Sequence, residues 1–304
     1  MIQYSLAYWQ HRLTQKGPVR IAMSILVKDE VDIIEDNIRF HARMGVDCFA
    51  VMDNLSTDGT REVLHSLQEE FDLHIIEQKC QNYQQAVWMT ELAHYAKKYL
   101  KADLVISNDA DEFWLPKQGT NLRDHLYASD SVVTLKRRNM VLEERALQAD
   151  YDYRTARFSV ANPILYNSET QKTSDAISML LVKISPKTIV NPHGLIRLKG
   201  GNHWAKHGWR WINARNCNDI TVYHYPIRSY AKFEANIKNR KRLLSRTNAR
   251  MGDHYRRWVR LLEEGKLEEE FQRFVLSEND IATTQKLGIT ETAPMPAMFR
   301  QVFD

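Results

Sequence analysis

Between residues 19 and 115 the chain alternates short apolar runs with amphipathic stripes, and this alternation constrains the fold more than any other feature. Val19–Val27 (VRIAMSILV) has the length and composition of a buried strand. Val31, Ile34, Ile38, His41 and Gly45 follow at steps of three and four, which traces one face of a helix. Cys48–Met52 reads as a second strand. The turn-rich segment Asn54–Thr60 (NLSTDGT) then opens a helix marked by Val63, Leu64 and Leu67. Leu73–Ile76 is a third strand, Trp88, Leu92, Tyr95 and Tyr99 form a longer helical stripe, and Leu104–Ile106 is a fourth strand. Strand and helix alternating at this spacing imply βαβ units. The fold class is therefore α/β, with a mainly parallel sheet and helices on both faces.

Ligands of such sheets bind beyond the carboxyl ends of the strands. Three segments meet that condition, and each carries carboxylates: Lys28-Asp29-Glu30, Asp53-Asn54 and Asp109-Ala110-Asp111-Glu112. In Asp109-Ala110-Asp111 the two acids stand at i and i+2, which on extended chain puts both carboxylates on one side. Such a pair suits a hard divalent cation, Mn²⁺ or Mg²⁺, which can neutralise a diphosphate leaving group. An acidic turn facing water is the plainer alternative, but the apolar segments on either side argue against an ordinary loop. Asp53, at the end of the second strand, is either a turn aspartate or an acceptor for a base or ribose.

The later chain changes character. From about 120 to 225 the runs are short and strand-like: Ser131–Leu135, Met179–Ile184 and Ile220–Tyr223. From 229 onward the pattern is helical and basic. Residues 228–260 hold eleven Lys and Arg against Glu234 and Asp253. Leu261–Phe274 reads as one acidic amphipathic helix, and the tail after Thr290 as a loosely packed strap. His203 in Gly200–Trp204 and His224 and Arg228 in Tyr223–Ser229 are polar groups beside strand-like runs. Imidazole suits Mn²⁺ as a further donor, and Arg228 suits phosphate oxygens. His11, His41, His65, His74, His94 and His125 have no ligand spacing and read as surface or packing residues.

Composition removes several classes. Of 304 residues, 43% are hydrophobic and 26% charged, which excludes a disordered or collagen-like chain. A net charge of +4 is too small to imply nucleic acid as a partner. Cys48, Cys80 and Cys217 are too scattered for a metal knot or closed disulfide set, which fits a reducing compartment. No run has the roughly 18 apolar residues of a membrane span, and Met1–Lys16 lacks a signal-peptide core, so a cytoplasmic setting is expected. GxGxxG, GxxxxGK[ST] and GxSxG are all missing, against dinucleotide, P-loop and hydrolase sites.

In order and spacing, several of these segments resemble the family 2-like glycosyltransferases of GT-A fold. They are Val27–Glu30, Met52–Thr60 and Asp109–Phe113. Gly201-Asn202-His203 and His224–Ser229 narrow the resemblance to the bacterial capsule and lipopolysaccharide subgroup akin to family 92. It covers about residues 20–242. Two positions depart from it, Asp29 where many relatives carry Asn and Leu55 where they carry a small residue.

The resemblance implies a GT-A-like, Rossmann-type domain over 1–228, with a basic helical C-terminal extension over 229–304 packed on it. It implies metal-dependent, inverting transfer of a sugar from a nucleotide-sugar donor to a hydroxyl of a glycan or lipid-linked glycan acceptor. Lys28, Glu30, Asp53, Asp109 and Arg228 would contact the donor. Asp109, Asp111 and His224 would hold the metal, and His203 would touch the acceptor or the diphosphate. The base is sought among Glu112, Glu143, Glu144 and Asp175, with Glu112 nearest the acidic motif. Two rival functions stand beside this one. One is a nucleotidyltransferase acting on a sugar phosphate. The other is a non-catalytic module that grips an anionic polymer or membrane. The basic stretch Asn236–Arg250 is either a solvated helix face or a peripheral dock on the inner face of the cytoplasmic membrane.

Overall fold

The computed structural model describes residues 1–15, 17–78, 84–165, 178–208, 213–246 and 253–304. Cys80, Asp175 and residues 247–250 of the basic stretch lie outside the described residues. The strands in chain order begin with β1 (Ile21–Val27), β2 (Cys48–Asp53), β3 (Leu73–Glu77), β4 (Leu104–Asn108) and β5 (Glu112–Pro116). Next come β6 (Val132–Asn139), β7 (Leu142–Glu143), β8 (Phe158–Val160), β9 (Lys187–Val190) and β10 (Leu195–Leu198). The last are β11 (Ala205–His207), β12 (Ala214–His224), β13 (Val275–Leu276) and β14 (Thr290–Thr292). The helices are α1 (Ile2–Thr14), α2 (Ile34–Arg43), α3 (Thr60–Leu67), α4 (Gln85–Tyr99) and α5 (Tyr230–Arg246). They continue with α6 (Asp253–Glu263), α7 (Leu267–Gln272), α8 (Glu278–Lys286) and α9 (Met295–Phe303).

The chain divides into two compact units, one of residues 1–137 with 185–222 and one of residues 138–184 with 223–304. The division differs from a single boundary at residue 228, because residues 138–184 pair with the C-terminal part of the chain: β7 pairs with β13 and β8 with β14. Such non-local pairings leave no local sequence signal.

The first unit carries a mixed sheet of order β3-β2-β1-β4-β9-β6-β12-β5, with the last residues of β6 and β12 running on into the second unit. Its first four strands are parallel, and β9 then runs antiparallel to both β4 and β6. β1, β2 and β4 are buried over nearly their whole length, which is why their sequences are continuous apolar runs. Side chains alternate between the two faces. Ala22, Ala50, Met52 and Val105 pack on one face with Trp88, Met89, Leu92, Ala93 and Ala96 of α4. On the other, Asn108 bonds both Met23 and Asn37 of α2. The α4 stripe follows the spacing read from the sequence except at Tyr99, which is exposed. Burying a side chain the size of Leu or Met contributes about 1.5–3 kcal/mol, so the α4 face is a main source of this unit's stability.

Met1–Lys16, to which the sequence pattern assigns no element, is mostly the helix α1.

The second unit has its own cores. Phe233, Ile237, Trp258, Phe271 and Phe274 pack together with Leu142, Leu180 and Ile227. Val141, Val160, Leu181, Leu276 and Ile281 form a second cluster. Three expectations change here. Leu261–Phe274 is two helices, α6 and α7, because Gly265 takes φ 72 and ends the first. The segment 179–184 forms a turn and one isolated bridge, Ile164 to Val182. The tail is not loose: β14 joins β8, and α9 buries Met295 and Phe299.

Candidate functional site

Parallel register brings three strand ends to one edge of the first unit. Val27 lies opposite Asp53, and Ile25 opposite Asn108. The loops after β1 and β2 are tied directly together. The ammonium of Lys28 donates to the carbonyls of Asn54 (3.1 Å) and Leu55 (2.7 Å). The amide of Asp29 donates to Ser56 Oγ at 2.9 Å, and its Oδ1 accepts from the Thr57 amide at 2.8 Å. The amide of Glu30 donates to Thr60 Oγ1 at 2.8 Å. Asp29 and Leu55 both stand in the left-handed region, at φ 54 and φ 59. For leucine that conformation costs about 1–2 kcal/mol, which this bonding must hold in place.

Asp53 is fully buried. Its Oδ1 accepts from the Ser56 amide at 3.1 Å, and its Oδ2 from Arg61 at 2.8 and 3.1 Å. Both oxygens are thus engaged by the chain itself, which is the geometry of a carboxylate that builds a turn.

The Asp109–Glu112 segment is a turn rather than extended chain, since the Glu112 amide donates back to the Asp109 carbonyl at 3.1 Å. The i, i+2 argument from a straight strand therefore does not describe it. Asparagines set its shape. Asn37 donates to the carbonyls of Ala110 (2.8 Å) and Glu112 (2.9 Å). Asn108 donates to Asn37 Oδ1 at 3.1 Å and accepts from the Trp114 indole at 2.7 Å. All these groups are buried, so the turn is fixed by satisfied polar contacts. Asp109 and Asp111 remain partly exposed, while Glu112 is wholly buried.

Two cations lie against these acids. Lys187, with no exposed surface, reaches Asp109 Oδ2 at 2.5 Å and Glu112 Oε2 at 3.0 Å. Arg137 donates to Glu112 Oε1 at 2.7 Å. Burial opposes the charge of Arg137, but Glu112, Asp109 and Asp111 outweigh it and hold its pKa above the ordinary value. Asn202 approaches Asp109 Oδ1 at 3.4 Å. His203 holds the Pro186 carbonyl at 2.8 Å, and burial, aided by the charges of Lys187 and Arg137, lowers its pKa to about 4. It is therefore a neutral imidazole at pH 7, able to bond but not to supply positive charge.

The remaining nominees belong to the second unit. His224 ends β12, and its Nδ1 lies 2.8 Å from Asn139 Oδ1. An amide oxygen only accepts, so this contact selects the tautomer with the proton on Nδ1 and the lone pair on Nε2. Arg228 is buried and donates to the Tyr225 carbonyl at 3.2 Å. Glu143 is buried and clamped by the amide and guanidinium of Arg157, while Glu144 is exposed.

Sequence reasoning missed Lys187 and Asn37, named Asn202 only within the Gly201-Asn202-His203 motif, and did not single out Arg137 for this role. Lys187 heads the short apolar run Thr188–Val190, and nothing local distinguishes it from a surface lysine.

No protein-family model matches the chain, and no curated protein matches it in sequence. Among solved structures, S. aureus TarS 1-349 in complex with UDP-GlcNAc is similar over 84% of this chain and 72% of its own. The identity is 12% and the TM-score 0.42. Glucosyl-3-phosphoglycerate synthase from Mycobacterium tuberculosis, in complex with Mn²⁺, UDP and glucosyl-3-phosphoglycerate, is similar over 62% of this chain and 61% of its own, at 14% identity and TM-score 0.31. Mannosyl-3-phosphoglycerate synthase from Rubrobacter xylanophilus is similar over 44% and 46%, at 14% identity and TM-score 0.28. Likenesses of this size carry no argument about the reaction of this chain.

Proposed function

We propose that this chain is a glycosyltransferase of GT-A type that moves a sugar from a nucleotide-sugar donor to a hydroxyl of a glycan acceptor. The observation that carries the reading is the rigid Asp109–Glu112 turn, which holds two partly exposed carboxylates at the carboxyl edge of the parallel strands. The loop ties at Lys28, Asp29, Glu30 and Asp53 shape the floor beside it, where the donor nucleotide would lie.

Asp111 and His224 carry the donor types that a divalent cation takes. Asp111 offers hard oxygen donors with access to solvent, suited to Mn²⁺ or Mg²⁺. His224 is kept as the imidazole donor because its tautomer puts the lone pair on Nε2, with Asn139 fixing the ring as ligand histidines usually require. Bound there, the cation would supply positive charge to the diphosphate leaving group. Asp109, held by Lys187, is assigned to the ribose side of the donor, and Arg228 and His203 to donor and acceptor contacts. Glu112, the nominee for the base, has its oxygens against Arg137 and Lys187, and the Glu112→Gln variant decides between proton transfer and a structural role. Inversion, a surface-polysaccharide or lipid-linked acceptor and a peripheral cytoplasmic setting come from the sequence resemblance and form part of the same proposal. Among the described residues no helix is long and apolar enough to cross a membrane.

The test is incubation with a panel of nucleotide sugars, with and without Mn²⁺. Release of nucleoside diphosphate that requires the metal supports the proposal. Pyrophosphate release would assign a nucleotidyltransferase instead, and no turnover with any donor would leave a binding module.

A further inference from the structure

The amino-terminal helix α1 is mounted with its apolar side outward. At about 100° per residue, Ile2, Leu6, Trp9 and Leu13 fall within an arc of about 60°. All four are exposed, Ile2 and Leu13 each at 78%. The opposite, mainly polar and aromatic side does the anchoring. The Tyr8 hydroxyl donates to the Ser129 carbonyl and accepts from Asn213, both at 2.6 Å. His11 stacks on His193 with ring centroids 3.6 Å apart and lies 3.2 Å from Asp103. A Cβ on Gly208 would come within 3.0 Å of the Ser5 amide, so α1 and the turn after β11 approach closely there. A globular protein ordinarily turns such a stripe inward. Here the inward side is held by specific contacts, and the outward one is left as an apolar ridge.

We infer that this ridge docks reversibly on an anionic lipid surface. Charge decides the occupant. Residues 1–28 contain no acid, Arg12 is exposed on the flank of the ridge, and Lys97 and Lys101 line one hollow with His11, Thr14 and Gln15 at the end of the helix. An apolar stripe flanked by cations, with Trp9 on the apolar side, is the pattern of a helix that lies in a membrane interface. A second copy of the chain fits poorly. Two such helices would set like charges side by side. A stable dimer also needs about 800 Å² from each partner, more than one 13-residue helix presents. The basic stretch of α5 is less suited, because Lys238 pairs with Glu234 at 2.7 Å, Lys241 pairs with Glu263 at 2.9 Å, and Arg240 lies over the Tyr255 ring. Asp103 immediately precedes β4, so α1 sits at the amino edge of the parallel strands. Docking there turns the Asp109–Glu112 edge away from the lipid.

Co-sedimentation of the whole protein with vesicles of phosphatidylglycerol and phosphatidylcholine tests this, independently of any reaction. Binding is expected at low salt, with at least a tenfold loss on pure phosphatidylcholine or at high salt. The triple variant Ile2→Gln, Leu6→Gln, Leu13→Gln should lose binding at least tenfold with an unchanged melting temperature. The single variant Leu6→Asp should do the same should the triple variant melt early. The variant Lys238→Gln, Arg240→Gln, Lys241→Gln, Arg242→Gln should bind as the parent does. The inference is overturned if anionic vesicles are ignored at low salt, or if the ridge variants bind like the parent. A dimer in sedimentation velocity that the ridge variants abolish, without vesicle binding, would also overturn it and assign the ridge to a second copy.

Discussion

The ammonium of Lys187 lies 2.5 Å from the carboxylate of Asp109, and its side chain has no contact with solvent. It also faces Glu112, which is equally buried. Replacing Lys187 by Met keeps the volume but takes the ammonium from Asp109 and leaves Glu112 with Arg137 alone. Removing one partner of a buried ion pair costs roughly 3–5 kcal/mol. Urea unfolding of Lys187→Met should show a loss of that size. A loss below about 1 kcal/mol would mean that the pair contributes little to the fold.

Glu112 is the nearest carboxylate to the acidic motif, but its oxygens face Arg137 and Lys187. A general base needs an oxygen open to the acceptor hydroxyl. The expected result for Glu112→Gln is therefore a stability loss of roughly 3–5 kcal/mol, the scale for breaking a buried pair. Unfolding curves and turnover measured on the same preparation separate the roles. Unchanged stability with kcat down by roughly 10²–10⁴ would assign the proton transfer to Glu112.

Asp111 carries the proposed cation, and its carboxylate is partly exposed. Asp111→Asn should leave the melting temperature unchanged and lower turnover by roughly 10²–10³, the scale of one lost electrostatic stabiliser. Calorimetric titration with Mn²⁺ should show weaker binding in the variant. Full activity of the variant, or of the parent in EDTA, contradicts the metal proposal.

Acid should destabilise the protein through its buried and half-buried histidines. His41 is fully buried, donating from Nδ1 to the Asn37 carbonyl and accepting the Trp114 amide at Nε2. Burial lowers its pKa to about 3, and burial likewise lowers His193, His203 and His207 to about 4. Unfolded histidines titrate near 6.5, so below that pH the unfolded chain binds the extra protons. Their contribution to stability is whole above pH 6.5 and declines as the pH falls toward 4. For His41 the decline is about 1.4 kcal/mol per pH unit. Urea midpoints that stay level from pH 7 to pH 4.5 would contradict this.

Local pattern made β1, β2, β4 and α4 legible, because a strand buried on both faces must be apolar throughout and a helix on a sheet must carry one apolar stripe. It also located Lys28, Asp53 and Asp109–Glu112, since these follow the strands directly. α1 was missed although its apolar positions are regular. Its anchoring side is Tyr8 and His11, so the helix face that packs inward does not carry the apolar signature that marks one.

What the sequence by itself determined is the α/β alternation and the acidic edge, both properties of residues close together in the chain. What only the tertiary structure decided is the company those acids keep. Ile106 of β4 lies opposite Ile189 of β9, and Val105 opposite Val190. Continuing that antiparallel register sets Lys187 beside Asn108, next to an aspartate it follows by 78 residues. The pairing of strands, rather than any motif, makes Lys187 a buried partner of Asp109. Its reason is the burial of β9 and β4 in one sheet, where a charge can remain only opposite another.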